Sequence, residues 1–491
     1  MIHLWRKSNC IVNNIFIPKY YDPSIMADLE KLKSTHDLLY IGDLLGDNTI
    51  DIKTGNEIGK ASYGTGDIPF IRTSDISNWE LKSIPKQGVS KEIYYKYLSK
   101  QDIKPGDILL VKDGTYLIGT NCFITEYDKE ILYQSHIYRI RILDNKKISP
   151  ELLFLSLNSP LVQKQIRSKQ FTADIIDTIG SRLLELILPI PKDRDKKKNL
   201  IRNAKEALGI RVKGKALIKN MPTLLEEVLQ TNSTKSMDDF LKLSQDELLK
   251  FTKPYTITSE FGAFESFWLN SSKVNNSILL PKLYDPSIDR ELNSLAKSCN
   301  LISMKVLKET GKIKYYTGDE IGKMAYGTGE IPFIRTSDFA NWEIKHNPKQ
   351  GISQEIYDKY KDKQDVQEHD LLLVRDGTYL VGSSCIITKE DEKSLFCGGL
   401  YKITINDNDL IDPFLFLGLI NSFIVKRQIR TKQFTRDVID TLGNRVDEII
   451  IPIPRSKVVR KAISNRIKAV INGRIKSRLK IFDLACEITK K

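Results

Sequence analysis

Pro69-Phe70-Ile71-Arg72-Thr73-Ser74-Asp75 recurs as Pro332-Phe333-Ile334-Arg335-Thr336-Ser337-Asp338, and the two stretches stand 263 positions apart. The same offset separates Asp113-Gly114-Thr115-Tyr116 from Asp376-Gly377-Thr378-Tyr379, and Lys169-Gln170-Phe171-Thr172 from Lys432-Gln433-Phe434-Thr435. The match needs no gap and runs from Trp5/Trp268 to the chain end, where Lys491 answers to Val228. Solenoid units repeat every ~20–50 residues, so a period this long marks two copies of a whole domain presenting the same surface twice. Such a chain is suited to a partner that itself has two similar halves.

Outward from these stretches, each copy reads alike. It opens on an extended entry (Ile15-Phe16-Ile17-Pro18, Tyr21-Asp22-Pro23; Leu279-Leu280-Pro281, Tyr284-Asp285-Pro286), followed by a glycine-punctuated loop, Gly55 to Gly66 and Gly318 to Gly329. Short strands are expected at 68–71, 108–111, 123–125 and 138–143, with turn chemistry between them at Pro105-Gly106-Asp107 and at Asp113-Gly114, a type I′ hairpin signal. Leu153, Leu157, Val162 and Ile166 predict one helix over 150–169. The body closes on Ile187-Leu188-Pro189-Ile190-Pro191 and Ile451-Pro452-Ile453-Pro454. The fold class is α/β (α+β), as two duplicated globules.

A long amphipathic helix is expected after each Pro-Ile-Pro. Val459, Ile463, Ile467, Val470, Ile475, Leu479 and Phe482 fall three to five residues apart, and Ile201, Ala204, Leu208, Val212, Leu217, Met221 and Leu225 do likewise, with Pro222 a kink point. A helix of about 36 residues would be roughly 54 Å long, too long and one-faced to stand alone. The two are therefore expected to pair as an antiparallel coiled coil that holds the globules apart. The boundaries read 1–192 and 267–455 for the globules, 193–230 and 456–491 for the helices, and 231–266 for a connector with a short helix opened by Ser236-Met237-Asp238-Asp239.

Composition bounds the function. A chain of 491 residues has room for about two to four domains. No run of about 18 apolar residues and no signal-peptide core occurs, which predicts neither membrane insertion nor secretion. Six cysteines occur without a C-x-x-C pair, and Cys122 and Cys385 read as small buried hydrophobes in strands, which suits a reducing cytoplasm. A net charge of +14, spread along the chain, suits a polyanion.

Catalytic signatures are missing from the sequence. No [N/D/S]-P-P-[Y/F] turn of an amino-methyltransferase occurs (Asn158-Ser159-Pro160-Leu161 has one proline and no aromatic), and there is no glycine-rich nucleotide loop. A nuclease reading of Asp107 and Lys112 meets Asp370 and Arg375 in the second copy, where a guanidinium replaces the lysine. His136 becomes Gly399, which removes a repeated metal ligand. The chain is expected to catalyse nothing and to hold no metal or cofactor.

Polar loops on an apolar frame are what repeats. Arg72, Thr73, Ser74, Asn78 and Trp79, with Arg335, Thr336, Ser337, Asn341 and Trp342, place donors and an aromatic at a strand exit, where Arg reads guanine and the smaller side chains read base edges or hold phosphates. The alternative there is an Arg72–Asp75 salt bridge that shapes the turn. Lys112, Thr115 and Tyr116, with Arg375, Thr378 and Tyr379, flank the Asp-Gly turns and could lie on DNA. Lys169 and Gln170, with Lys432 and Gln433, follow a helix end, where capping competes with phosphate contact. Arg182 and Arg445, after a glycine, complete the set.

These residues and their order resemble the specificity subunit of type I restriction-modification systems. The resemblance rests on a Gly-Asp-Ile-Leu strand running into Asp-Gly-Thr (Gly106 to Thr115; His369-Asp370-Leu371-Leu372 in the second copy), then Phe171, Gly180, Pro189 and Pro191 (Phe434, Gly443, Pro452, Pro454), then the helix. It covers nearly the whole chain except 231–266. It implies two target-recognition domains on a helical spacer, double-stranded DNA as ligand, and assembly with adenine-methyltransferase modification subunits that bind AdoMet. It also implies an ATP-driven restriction subunit, with ATP and Mg²⁺ used by partners and not by this chain. The target would be a bipartite site with a nonspecific gap. In that family the helices usually resemble each other while the recognition domains differ; here the domains are alike, so a near-palindromic site is expected. A related phage-defence methylation system shares the architecture, and a protein-interaction scaffold is the remaining alternative.

Overall fold

The computed structural model describes residues 11–490 apart from 13–14, 115, 129, 174–175, 251–266, 275–277, 378, 408 and 437–438. Among these residues the chain divides into two compact units, one reaching Val212 and resuming at Lys476, the other running from Lys213 to Ile475.

In the first unit Asp22 accepts the Ser24 amide at 2.9 Å and starts α1 (Pro23–Leu32), which buries Ile25, Leu29 and Leu32. Next come β1 (His36–Tyr40), α2 (Ile41–Gly46), β2 (Ile50–Thr54), β3 (Ile68–Ile71), β4 (Ile76–Ser77), β5 (Glu80–Leu81), β6 (Gln87–Val89), α3 (Lys91–Gln101), β7 (Ile108–Val111) and β8 (Asn121–Phe123). The unit continues with β9 (Leu132–Tyr133), β10 (Ile137–Ile142), α4 (Pro150–Asn158), α5 (Pro160–Lys169), β11 (Phe171–Ala173), β12 (Ile176–Thr178), β13 (Ile187–Pro191) and α6 (Arg194–Thr231). Four strands form an antiparallel sheet in the order β2-β10-β7-β8, and three form a smaller one, β6-β3-β9, in which β3 and β9 are parallel.

β7 explains the layering. All four of its residues are buried. Ile108 and Leu110 enter a core with Leu153, Phe154 and Leu157 of α4, while Leu109 and Val111 enter another with Ile71, Ile76, Cys122 and Tyr133. That is the two-residue period of a strand covered on both faces. The second unit repeats the arrangement with Ile313–Thr317, Leu400–Ile405, Leu371–Val374 and Ser384–Ile386 in one sheet and Gln350–Ile352, Ile331–Ile334 and Leu395–Phe396 in the other.

Several expectations shift. The helix expected over 150–169 is two helices, because Ser159 takes an extended conformation (φ −65°, ψ 146°) and its hydroxyl caps α5 through the Val162 amide. The strands expected at 123–125 and 138–143 sit at Asn121–Phe123 and Ile137–Ile142. The entry is not extended throughout, since Pro18–Tyr21 forms a 3₁₀ turn. The connector holds two short helices, Lys235–Lys242 and Gln245–Lys250, and the first is preceded by Thr234 instead of opening at Ser236.

Both long helices form, α6 with Pro222 inside it and a C-terminal helix at Lys457–Glu487. In the first unit Leu200, Ala204, Ala207 and Leu208 share one core with Ile481, Leu484 and Ile488, and the carbonyl of Ile488 meets the buried His36 ring at 2.9 Å. In the second unit Gly214 faces Arg474, while Leu225 meets Ile463 and Ile467 over Gly418. Numbers rise along one helix as they fall along the other, so the pairing there is antiparallel. No helix among the described residues is long and apolar enough to cross a membrane.

Candidate nucleic-acid interface

β3 delivers the chain to Arg72, after which Thr73–Asp75 makes one 3₁₀ turn. The fully buried Asp75 carboxylate accepts the Arg72 amide at 3.0 Å and the Lys86 amide at 3.4 Å. Burial pushes its carboxyl up, against the pull of Lys82 and of those amides. Asp338 does the same for Arg335 and Lys349, at 3.0 and 3.4 Å. Backbone amides therefore hold the carboxylate, and among the described residues the Arg72 guanidinium makes no ion pair with it. The expected alternative, an Arg72–Asp75 salt bridge, is replaced by this carboxylate-to-backbone turn. The Arg335 guanidinium lies 5.8 Å from the Tyr326 ring. Thr73, Ser74, Thr336 and Ser337 are half-buried beside it.

Pairing of Ile76 with Leu81 and Ser77 with Glu80 leaves Asn78 and Trp79 as a two-residue turn. Both have positive φ, 49° and 64°, as do Asn341 and Trp342 at 51° and 65°, which is the type I′ geometry. A tryptophan in that region is strained. Core packing and a bond from its indole N–H to Asn158 Oδ1 at 3.0 Å hold it there. Asn78 and Trp342 are buried, so three of these four side chains serve the fold of the turn at least in part.

A chain of backbone bonds then gathers the remaining loops. The Gln134 amide donates to Ile71, Lys112 to His136, Ile179 to Lys112 and Gly114 to Asp177, all at 2.9–3.0 Å. The second unit makes the same four from Cys397 to Ile334, Arg375 to Gly399, Leu442 to Arg375 and Gly377 to Asp440, each at 2.9 Å. The exit of β3, the residues after β7 and the β11–β12 hairpin thus form one patch per unit. Asp113-Gly114 is not a two-residue hairpin: residues 112–120 form the connection from β7 to β8, and Asp113 pairs instead with Thr178. Thr115 and Thr378 lie outside the described residues. Tyr116 and Tyr379 are 38% and 45% exposed, and Ile176 and Ile439, which sequence reading missed, are 40% and 48% exposed. Only the apolar residue at a hairpin edge could have signalled them.

Charge in the patch is balanced differently in the two units. Burial raises the Asp113 carboxyl, but the Thr178 hydroxyl, His136 at 3.0 Å and Lys112 at 3.2 Å outweigh it, and the net direction is down. Asp376 takes two bonds from Arg375, at 2.9 and 2.6 Å, and one from the Thr441 hydroxyl. Lys169 pairs with Glu185 at 2.7 Å and lies over the Tyr20 ring; Lys432 pairs with Glu448 at 3.1 Å. Arg182 donates to the carbonyls of Lys169 and Thr178 at 2.7 and 2.8 Å and lies 4.2 Å from the Phe171 ring, while Arg445 lies 4.1 Å from Phe434. These arginines brace the hairpin. Gln170 is half-buried, and Gln433 reaches Asp440 at 3.4 Å. Asp107, the acid of the nuclease alternative, is buried and bonded to Arg141 at 2.7 Å.

Residues 48–202 match the family model described as the type I restriction modification DNA specificity domain. This chain carries a type I restriction-modification DNA specificity domain. The match holds the first-copy patch from Arg72 to Arg182, and the repeat places the equivalent stretch of the specificity domain at residues 311–465. The function of the chain is that of a DNA-specificity subunit, which in type I systems is non-catalytic. Among solved structures, the S subunit of a type I restriction-modification system from M. genitalium aligns over 93% of this chain and 95% of its own, at 11% identity and a TM-score of 0.33. The HsdS subunit from Thermoanaerobacter tengcongensis aligns over 93% and 96%, at 14% identity and a TM-score of 0.27. A search of curated proteins gave no match.

Proposed function

We propose that the two patches read the two halves of a bipartite, near-palindromic site on double-stranded DNA. The chain would thereby direct adenine-methyltransferase modification subunits and an ATP-dependent restriction subunit to that site. The observation that carries this reading is the repetition of the same four backbone bonds, and of the same Arg-Thr-Ser exit, in each unit. Recognition domains at 1–192 and 267–455 would act with 193–230 and 456–491 as the spacer and the docking surface for partners. Within each patch Arg72/Arg335, Thr73/Thr336, Ser74/Ser337, Lys112/Arg375 and Tyr116/Tyr379 are the residues assigned to DNA. Asn78, Trp79, Trp342, Arg182 and Arg445 are assigned to holding the loops in place.

Co-expression with cognate modification subunits, followed by long-read mapping of methylated adenines, tests the reading. One interrupted motif with inverted, similar half-sites is expected; two unrelated half-sites, or no sequence-dependent methylation, would refute it. DNA binding should also weaken with salt, with a slope of roughly −0.9 per phosphate neutralised.

A further inference from the structure

The two patches are nearly the same in sequence. Of the positions singled out in the first copy, Arg72, Thr73, Ser74, Asn78, Trp79, Thr115, Tyr116, Lys169, Gln170 and Arg182 recur unchanged 263 residues on, and Lys112 alone changes, to Arg375. One neighbouring segment differs throughout. Gln134-Ser135-His136, between β9 and β10, is Cys397-Gly398-Gly399 in the second copy.

These differences share one corner. The Gln134 amide bonds the carbonyl of Ile71, next to Arg72, and the His136 carbonyl accepts the Lys112 amide at 3.0 Å. The His136 ring and the Lys112 ammonium both hold Asp113, at 3.0 and 3.2 Å. A carboxylate only accepts, so its partner Nδ1 carries the proton, and in the neutral ring Nε2 is left as an acceptor. The side chain is 37% exposed. In the second unit the imidazole is absent, and Arg375 alone supplies the cation, with two bonds to Asp376. Cys397 is buried there, and the Thr336 methyl stands 3.1 Å from where a Cβ on Gly399 would be. The two units therefore keep the carboxylate and the loop path while exchanging the groups around them.

We propose that this corner, Lys112 with Gln134-Ser135-His136 in one unit and Arg375 with Cys397-Gly398-Gly399 in the other, is where the two half-sites part company. This rests on the near-palindromic reading and deepens it: the halves are read alike by the shared residues and differently here. The first unit takes a base edge that offers a hydrogen to His136, an adenine or cytosine exocyclic amino group, and the second unit does not require one.

The test transplants the corner. The variant Lys112→Arg/Gln134→Cys/Ser135→Gly/His136→Gly is co-expressed in the full chain with cognate modification subunits, and methylated adenines are mapped beside wild type. Wild type should give half-sites that are inverted copies except at one or two positions. The variant should change only those positions in the first half, making the motif more palindromic, with preference shifted roughly five- to a hundredfold. A variant that keeps the wild-type motif, or that alters a shared position, overturns the proposal, as does a wild-type motif that is already a perfect palindrome. Unrelated wild-type half-sites sink the underlying reading as well, so the two failures are distinguishable. If the fourfold variant does not melt as a folded protein, Lys112→Arg and His136→Gly are made singly. At least one must move preference at the differing position, and if neither does the proposal falls.

Discussion

Arg211 in the middle of α6 and Glu80 of β5 form an ion pair 3.1 Å apart, with side chains only 2% and 9% exposed. The repeat places Arg474 of the C-terminal helix on Glu343, where the exposures fall to 0% and 1%. Each pair joins a long helix to the short hairpin whose tip is the Asn-Trp turn. Taking two charges out of water costs several kcal/mol per ion, so such a pair is weak evidence for stability and better explained as a device that fixes register. Here it would fix how far along its axis each helix meets the hairpin beside the patch.

Breaking the pair should therefore cost more than deleting it. Arg474→Met leaves the Glu343 carboxylate buried without its cation, at about 3–5 kcal/mol. Arg474→Met combined with Glu343→Leu should recover much of that loss. Denaturant unfolding of wild type, both single variants and the double gives the coupling; additive losses would mean the residues do not act as a pair.

Gly214 offers a second check on the same side chain. Glycine to alanine within a helix ordinarily stabilises by about 1 kcal/mol. A Cβ at Gly214 would stand 2.9 Å from Arg474 Cγ and 3.2 Å from Cδ. Those atoms lie mid-chain, and the guanidinium beyond them is tied to Glu343, so the side chain has little room to yield. Gly214→Ala should instead destabilise by about 1–3 kcal/mol. A raised melting temperature would show that Arg474 moves freely.

The arginine and the aspartate of the β3 exit should separate binding from folding. Asp338 holds the Arg335 and Lys349 amides, and the Arg335 side chain is not needed for that. Arg335→Ala should leave the melting temperature near wild type, cost about 1–3 kcal/mol of DNA affinity and relax one motif position. Asp338→Ala should lower stability by about 1–3 kcal/mol through its orphaned amides. Loss of fold in the arginine variant would return it to a structural role.

Much of the architecture was legible in the sequence because the repeat supplied each observation twice. Helical spacing marked α6 and the C-terminal helix, and the apolar run Ile108–Val111 marked the central strand. Asp113-Gly114 misled because local turn preference lost to a tertiary bridge: Asp113 pairs with Thr178, 65 residues away in sequence. Trp79 misled in the opposite sense, since an aromatic at a strand exit reads as a contact residue until its indole is found on Asn158. Ser159 gave a proline-backed break that the apolar spacing across it concealed. The grouping of Arg72, Lys112 and the β11–β12 hairpin into one patch rests on long-range backbone bonds, which no local pattern encodes.

Asp75 and Asp338 make the protein's stability depend on pH in a direction opposite to that of an ordinary ion-paired carboxylate. Burial raises both carboxyls above the ordinary range, against the pull of Lys82 or Lys345 and of the amides they accept. A folded value above the unfolded one means that the native state binds more protons in the interval between them. The contribution is then complete below about pH 3.9, the unfolded value, and is lost as pH rises through the folded values. Asp75→Asn/Asp338→Asn removes both titrations at the cost of a constant offset from weakened acceptance of the amides. Melting temperatures of wild type and variant, compared from about pH 4 to about pH 7, should show wild type losing ground to the variant as pH increases. A constant difference across that range would mean that the surrounding amides and lysines cancel the effect of burial.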